Sequence, residues 1–289
     1  VREVCRSPNH WSSRWMLNDF LEMHGIPGIE RVDTRALTKK IRTEGVMLGI
    51  LEVYSNGKEP DLKELKRKVQ SMEDPAERDL VGEVCTKEIK RYIGREDCKV
   101  VLIDCGVKNS IVRGLTSRGT TVIQVPPSTS PDQISQLKPH GVVISNGPGD
   151  PKRAKDVIET AKSLIELDLP LFGICLGAQV LALALDGDTF KLKFGHRGQN
   201  HPCLELKTGR CYISSQNHGY AVDPNSLSGT GLEVTYINAN DRTVEAIEHR
   251  DLPVFATQWH PEASPGPNDT NFMFDKFMGM MKTAKNNVR

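Results

Sequence analysis

Leu171-Phe172-Gly173-Ile174-Cys175-Leu176-Gly177-Ala178-Gln179 is the stretch on which the fold turns. The apolar run Leu169 to Ile174 stops at a cysteine flanked by glycines, and an apolar, helix-prone segment, Val180 to Leu185, follows. The pattern predicts a buried strand, a tight turn and a helix, with Cys175 at the turn. That is the layout of a nucleophile elbow with sulfur in place of oxygen. Gly173 and Gly177 let backbones approach closely. The helix N-terminus offers free N–H groups and a partial positive charge, which favour thiolate over thiol. Taken alone, a cysteine here reads first as a small core residue, as most buried cysteines are.

Outward from the elbow, Gln258-Trp259-His260-Pro261-Glu262 follows a second apolar run, Pro253 to Thr257, and His260 lies 85 residues beyond Cys175. A histidine leaving a strand end, with a carboxylate two residues on, supplies a base and a group to orient it. Cys175, His260 and Glu262 are the nucleophile, base and orienter set of acyl transfer. A third segment, Ser145-Asn146-Gly147-Pro148-Gly149-Asp150-Pro151, follows the apolar run Gly141 to Ile144. Its glycines sit where a backbone must come close to a ligand.

The same strand signal recurs at Val100–Asp104, Thr121–Val125 and Val142–Ser145, with helical segments near 131–137 and 155–167 between. This alternation predicts an α/β fold with a doubly wound, mostly parallel sheet and helices on both faces. The motifs fall at the carboxyl ends of strands, where such sheets bind ligands. Residues 190–258 read as shorter strands in hairpins, and Asn271–Thr283 as a closing amphipathic helix. Ahead of this unit, Trp15, Met16, Phe20 and Met23 form a helical stripe ended by Gly25 and Pro27, and Asp33 or Thr34 can cap a second helix. Residues 83–95 are polar and weakly patterned and read as a linker. The expected division is 1–96, part of a smaller α/β domain plus linker, and 97–289, the catalytic domain.

On the three quoted motifs the chain resembles the class I glutamine amidotransferases. Phe194-Gly195-His196-Arg197-Gly198-Gln199-Asn200-His201-Pro202, Ser215–Val222 and Asp33–Arg42 narrow this to the small-subunit family of carbamoyl-phosphate synthetases. The resemblance implies a glutaminase that hydrolyses L-glutamine through a thioester on Cys175. Ammonia then passes to a large synthetase subunit that makes carbamoyl phosphate from bicarbonate and ATP, for arginine and pyrimidine synthesis. It implies glutamine contacts at Gly147, Gly149, Gln179, Asn217, Gly219 and Tyr220, and an oxyanion hole from the backbones of Leu176 and Gly149. It implies no cofactor or metal in this chain, with ATP and Mg in the partner. His196, His201 and His218 therefore read as loop hydrogen-bonding groups. Two positions depart from the pattern: Ala178, where many relatives carry histidine, and Ser110, where asparagine is usual. The chain begins at Val1, and the resemblance implies roughly a hundred residues ahead of it, so an N-terminally incomplete chain is expected.

A chain of 289 residues with net charge +1 gives no electrostatic reason to expect nucleic acid or a membrane surface as partner. No apolar run approaches the ~20 residues of a membrane span. Seven scattered cysteines without C-x-x-C spacing argue for reduced thiols in the cytoplasm. No Gly-x-x-x-x-Gly-Lys loop is present, so ATP is expected on the partner. Two other readings stay open: a glutaminase serving a different amidotransferase, and a non-catalytic regulatory subunit.

Overall fold

The computed structural model describes residues 1–11, 13–54, 59–95 and 98–287. The chain divides into two compact units, Val1–Asp74 and Pro75–Arg289. The division expected at 96/97 falls on residues outside those described.

The first unit holds three helices, α1 (Leu17–Met23), α2 (Thr34–Glu44) and α3 (Leu62–Gln70). Asp33 caps α2 by accepting from the Ala36 N–H, and Asp61 caps α3 by accepting from Lys63 and Glu64. Each cap satisfies amide donors that the first turn leaves free. The stripe of Trp15, Met16, Phe20 and Met23 runs along α1 and its lead-in, and all four side chains are exposed.

The second unit contains α4 (Leu80–Val84), β1 (Lys90–Tyr92), β2 (Lys99–Ile103), α5 (Asn109–Thr116), β3 (Thr121–Val125), α6 (Pro131–Gln136), β4 (Gly141–Ile144) and α7 (Lys155–Glu166). It continues with β5 (Leu171–Ile174), α8 (Leu176–Ala184), β6 (Thr189–Glu205), β7 (Cys211–Val222), β8 (Leu232–Asn238), β9 (Val244–His249), β10 (Val254–Thr257) and α9 (Phe272–Asn287). The strands form one ten-stranded sheet in the order β1-β3-β2-β4-β5-β10-β9-β8-β6-β7. The five strands from β3 to β10 are mutually parallel, while β1 and the run from β9 to β7 are antiparallel to their neighbours.

Strand periodicity builds two cores. Val101 and Ile103 of β2 face α6, α7 and α8, among Ile134, Leu164 and Leu181. Val100 and Leu102 face the other way, towards Ile111 and Leu115 of α5 and Phe274 and Phe277 of α9. Successive side chains of a strand point to opposite faces, so a central strand apolar at every position needs helices on both sides. Phe172 and Phe255 stack across the β5–β10 pair with ring centroids 4.4 Å apart. Phe277, fully buried against both, closes that layer.

Residues 83–95, which read as a linker, hold the end of α4 and the short strand β1. Asp104 anchors them by accepting the Thr86 N–H at 2.8 Å. The hairpin strands β6 and β7, of 17 and 12 residues, are long, not short. Their ladder shifts register twice, between Lys191 and His196 and between Gly198 and His201. The first shift takes in Gly195, while Gly198 and Pro202 stay paired with Gln216 and Ile213, although all three look like strand breaks in the sequence. Among the described residues no helix is long and apolar enough to cross a membrane.

Candidate active site

Cys175 is the single residue between β5 and α8, with φ 55° and ψ −102°. A positive φ is strained for a residue with a Cβ and marks a functional turn. The turn is possible because neighbouring Cβ atoms are missing. A Cβ on Gly177 would collide with the Ile144 carbonyl, one on Gly173 with the Gly177 backbone, and one on Gly147 with the Cys105 carbonyl.

The β5–β10 pair brings the distant histidine to the cysteine. Ile174 pairs with Thr257, and the Cys175 N–H donates to the Thr257 carbonyl at 2.8 Å, extending the ladder by one residue. Gln258 then lies beside Cys175, its Nε2 3.8 Å from the Sγ. The chain beyond is fixed by the His260 N–H, which donates to the Ser215 carbonyl on β7 at 2.9 Å. His260 and Cys175 line the same cavity, close enough for the cysteine to raise the pKa of the histidine. On its far side, Nδ1 lies 2.6 Å from Glu262 Oε1, whose side chain is fully buried. Lys108 Nζ sits 3.2 Å from the same oxygen.

Burial alone lowers the His260 pKa, but Cys175 and the Glu262 carboxylate outweigh it and raise the value to about 10. Burial raises the Glu262 pKa, yet His260 and then Lys108 hold it below the ordinary carboxylate value. At neutral pH the resting site is therefore an imidazolium between a carboxylate and a sulfur. That arrangement can protonate a leaving amine without a further base.

A cavity of about 750 Å³ opens on this group. Gly147, Gly149, Gln179, Asn217, Gly219 and Tyr220 all line it, together with Cys175 and His260. Leu176 and Glu262 do not line it. Leu176 starts α8 directly after Cys175, and among the described residues its N–H has no acceptor. Gln179 Nε2 donates to the Tyr220 carbonyl at 2.8 Å and to Gln258 Oε1 at 3.0 Å, tying α8 to β7 and to the strand end after β10. The loop carrying Lys108 is held by Asn146, whose Oδ1 accepts the Lys108 N–H and whose Nδ2 donates to the Gly106 carbonyl. Asp104 and Asp150 act as turn and cap residues, as their positions suggest. Cys105 is buried, with its thiol pKa pushed up by burial, and does not line the cavity.

Two residues at this site escaped the sequence reading, Lys108 and Gln258. Gln258 adjoins His260 in the quoted segment, so strand-end position was the available signal. Lys108 is close to Glu262 only through the packing of the loop after β2.

The lining is cationic. Lys108 and Arg197 are present, and among the described residues no aspartate or glutamate lines the cavity. It suits a small ligand carrying a carboxylate.

The class-I glutamine amidotransferase family matches residues 101–280, and the carbamoyl-phosphate synthase small chain CPSase domain family matches residues 1–51. A carbamoyl phosphate synthase small chain from Methanopyrus kandleri is 50% identical over 282 residues, which is 98% of this chain and 78% of that protein. One from Archaeoglobus fulgidus is 48% identical, covering 98% of this chain and 77% of the relative. A pyrimidine-specific small chain from Bacillus subtilis is 44% identical, covering 99% and 76%. A solved structure described as a GMP synthase component from Thermoplasma acidophilum superposes with TM-score 0.58 at 21% identity, over 66% of this chain and 97% of that one, a likeness of fold. With close to half of its residues identical over nearly its whole length, this chain belongs to the carbamoyl phosphate synthase small chain family, the glutamine-hydrolysing component of that enzyme.

Proposed function

We propose that Cys175, His260 and Glu262 carry out the glutaminase reaction. The cysteine sulfur attacks the side-chain carboxamide carbon of L-glutamine. A sulfur–carbon bond forms, and the oxygen becomes an oxyanion. The oxyanion collapses, the carbon–nitrogen bond breaks, and His260 gives its proton to the departing nitrogen, which leaves as ammonia. Water, deprotonated by His260, then attacks the thioester, releasing glutamate and regenerating the sulfur. Glu262 fixes the imidazole with Nδ1 towards itself, leaving Nε2 for the sulfur. The Leu176 and Gly149 N–H groups receive the oxyanion. Gly147, Gly149, Gln179, Asn217, Gly219 and Tyr220 hold the amino-acid end of the substrate.

The single observation that carries this reading is the Cys175–His260–Glu262 line across the β5–β10 seam, opening on a cavity without lining carboxylates. Residues 97–289 are assigned the hydrolysis. Ammonia would pass to a large synthase chain, where bicarbonate, ATP and Mg are used. None of the seven cysteines is joined in a disulfide, which fits a reducing cytoplasm.

The test is glutamate release from glutamine by this chain, alone and with a large chain, for the wild type and Cys175→Ser. Loss of glutamine-dependent carbamoyl phosphate synthesis with ammonia-dependent synthesis retained supports the assignment. A Cys175→Ser protein that still hydrolyses glutamine at the wild-type rate overturns it.

A further inference from the structure

From the β7 wall of the cavity a second buried polar group, to which no role in the hydrolysis is assigned above, runs inward. It consists of His196 on β6, Gln216 on β7 and Glu245 on β9, with 5%, 2% and 0% of their surfaces exposed. Glu245 Oε1 accepts from Gln216 Nε2 at 2.7 Å and from Asn238 Nδ2 at 2.8 Å. Its Oε2 is buried with no hydrogen-bond partner among the described residues. His196 Nδ1 lies 2.8 Å from Gln216 Oε1 and 3.7 Å from Glu245 Oε1, and its Nε2 lies 2.7 Å from Asp241 Oδ2.

The donors can be assigned from these contacts. A carboxylate only accepts, so the Gln216 amide must turn its NH₂ to Glu245 and its oxygen to His196. Both nitrogens of His196 then face acceptors, and both must donate. The ring is a cation beside a buried carboxylate, which burial opposes but Glu245 and Asp241 more than offset, placing its pKa at about 9. Two other histidines touch it. The His201 ring stacks 5.0 Å away, and burial and then the His196 charge lower its pKa. His218, 4.9 Å away, is pushed down to about 3 by burial. It therefore carries one proton, which Nδ1 gives to the Tyr220 carbonyl at 2.7 Å, while Nε2 stands 3.1 Å from Gln216 Oε1. One of the three rings holds the charge.

The location gives the cation its work. β7 is the edge strand of the sheet, and its ladder to β6 is interrupted on both sides of the His196–His218 pair. Ser215 to Tyr220, Gln216 and His218 among them, line the cavity. The Asn217 carbonyl is 3.9 Å from Cys175 Sγ, and the Tyr220 carbonyl accepts from both His218 and Gln179. An edge strand with a broken ladder is weakly held by its backbone, so a buried side-chain network takes over its register.

We infer that His196 is a positioning residue for glutamine binding: clamped as a cation between Asp241 and Glu245, it fixes Gln216 and through it the wall formed by Asn217, Gly219 and Tyr220. The inference rests on the glutaminase reading. The donor atoms of His196, His218 and Glu245 lie within 4.8 Å of one another, a spacing a metal ion could also use. With both nitrogens of His196 protonated, that ring offers no lone pair to a metal, which leaves His218 Nε2 and Glu245 Oε2 as the ligand atoms not engaged in a hydrogen bond among the described residues.

The experiment compares the wild type with His196→Gln and Asp241→Asn in steady-state glutamine hydrolysis between pH 6 and 10. His196→Gln should raise KM about tenfold or more, as losing a hydrogen bond to a charged group does, and change kcat by no more than about twofold. In the wild type KM should stay level below about pH 9 and climb above it, as His196 loses its proton. In Asp241→Asn the climb should begin at lower pH. The ammonium of glutamine and His260 titrate alike in both proteins, so the offset between the two profiles belongs to His196. A wild-type KM in His196→Gln, a loss of kcat at unchanged KM, or coincident pH profiles for wild type and Asp241→Asn would each overturn the inference. So would a wild-type KM that rises on chelation and returns with zinc. If His196→Gln does not fold, Asp241→Asn decides, since its side chain is 44% exposed. Glutamine affinity measured by calorimetry in a Cys175→Ala background, with and without Asp241→Asn, tests binding even if turnover is absent. There, failure of the glutaminase reading and failure of this one are told apart.

Discussion

Lys108 and His260 meet on one oxygen of Glu262: the ammonium nitrogen stands 3.2 Å from Oε1 and the imidazole Nδ1 2.6 Å from it. Glu262 Oε2 is buried with no hydrogen-bond partner among the described residues. Lys108 is 41% exposed, so its pull on the carboxylate is screened by solvent. A pair of this kind contributes up to ~1 kcal/mol, and Lys108→Met should lower kcat/KM about fivefold. The sharper signature is pH. Glu262 is held below the ordinary carboxylate value, so its ionised form is present above that range and lost as pH falls through its own pKa. Removing Lys108 raises that pKa, and the acid limb of kcat should move to higher pH. An unmoved acid limb would disprove the coupling.

The His260 pKa of about 10 depends on Cys175 before Glu262. NMR titration of the His260 ring should give a high value in the wild type and a lower one in Cys175→Ala. The sign for stability follows. A pKa raised on folding contributes stability that is fully present below the ordinary ~6.5 and is lost as pH rises towards about 10. Melting temperature should fall across that window in the wild type and fall less in Cys175→Ala. Equal slopes would contradict the pairing.

His260→Asn removes the proton carrier and should lower kcat by roughly 10²–10⁴. Glu262→Gln keeps a hydrogen-bond acceptor on Nδ1 and should cost less. Single-turnover glutamate release separates the two, and equal losses would contradict the division of roles.

The elbow stores backbone strain at Cys175, with φ 55°. Glycine adopts that conformation freely and alanine does not. Cys175→Gly should therefore be more stable than Cys175→Ala by about 1–2 kcal/mol, although both are inactive. Urea midpoints give the comparison, and a less stable glycine variant would mean the turn is unstrained.

Gly177→Ala tests the packing beneath the elbow. Its Cβ would strike the Ile144 carbonyl on β4. Backbone cannot swing aside as a side chain can, so a loss of roughly 3 kcal/mol is expected. It should be seen in the denaturation midpoint and in lost glutaminase activity. A variant as stable as the wild type would mean β4 and α8 can separate.

The parts of the site legible in the sequence were the local ones. Gly173, Cys175 and Gly177 form a turn within five residues, and His260 and Glu262 are two apart, so their geometry follows from short-range chemistry. Strand alternation from Lys99 onward was equally visible, because the central strands are apolar at every position. Asn217, Gly219 and Tyr220 could be placed at the cavity only by resemblance, as side chains of that kind are common in loops. Lys108 beside Glu262, and His196 between Asp241 and Glu245, depend on which strands become neighbours, and no short window carries that. The length of β6 and β7 was hidden by Gly195, Gly198 and Pro202. The role of residues 83–95 was hidden by a strand of only three residues.

Cys175 and His260 follow the ends of β5 and β10, strands adjacent in the sheet but separated in the chain by α8 and the four strands from β6 to β9. The two strands stand one strand step apart, roughly 4.8 Å, whatever happens in between. The excursion can lengthen or change shape without altering it. The order of assembly matters too. Closing so long an excursion is entropically costly and comes late. During synthesis Cys175 is made and can enter its strand well before residue 260 exists to meet it. A growing or half-folded chain therefore presents Cys175 without His260 beside it, and the two meet only when the final parallel strand docks.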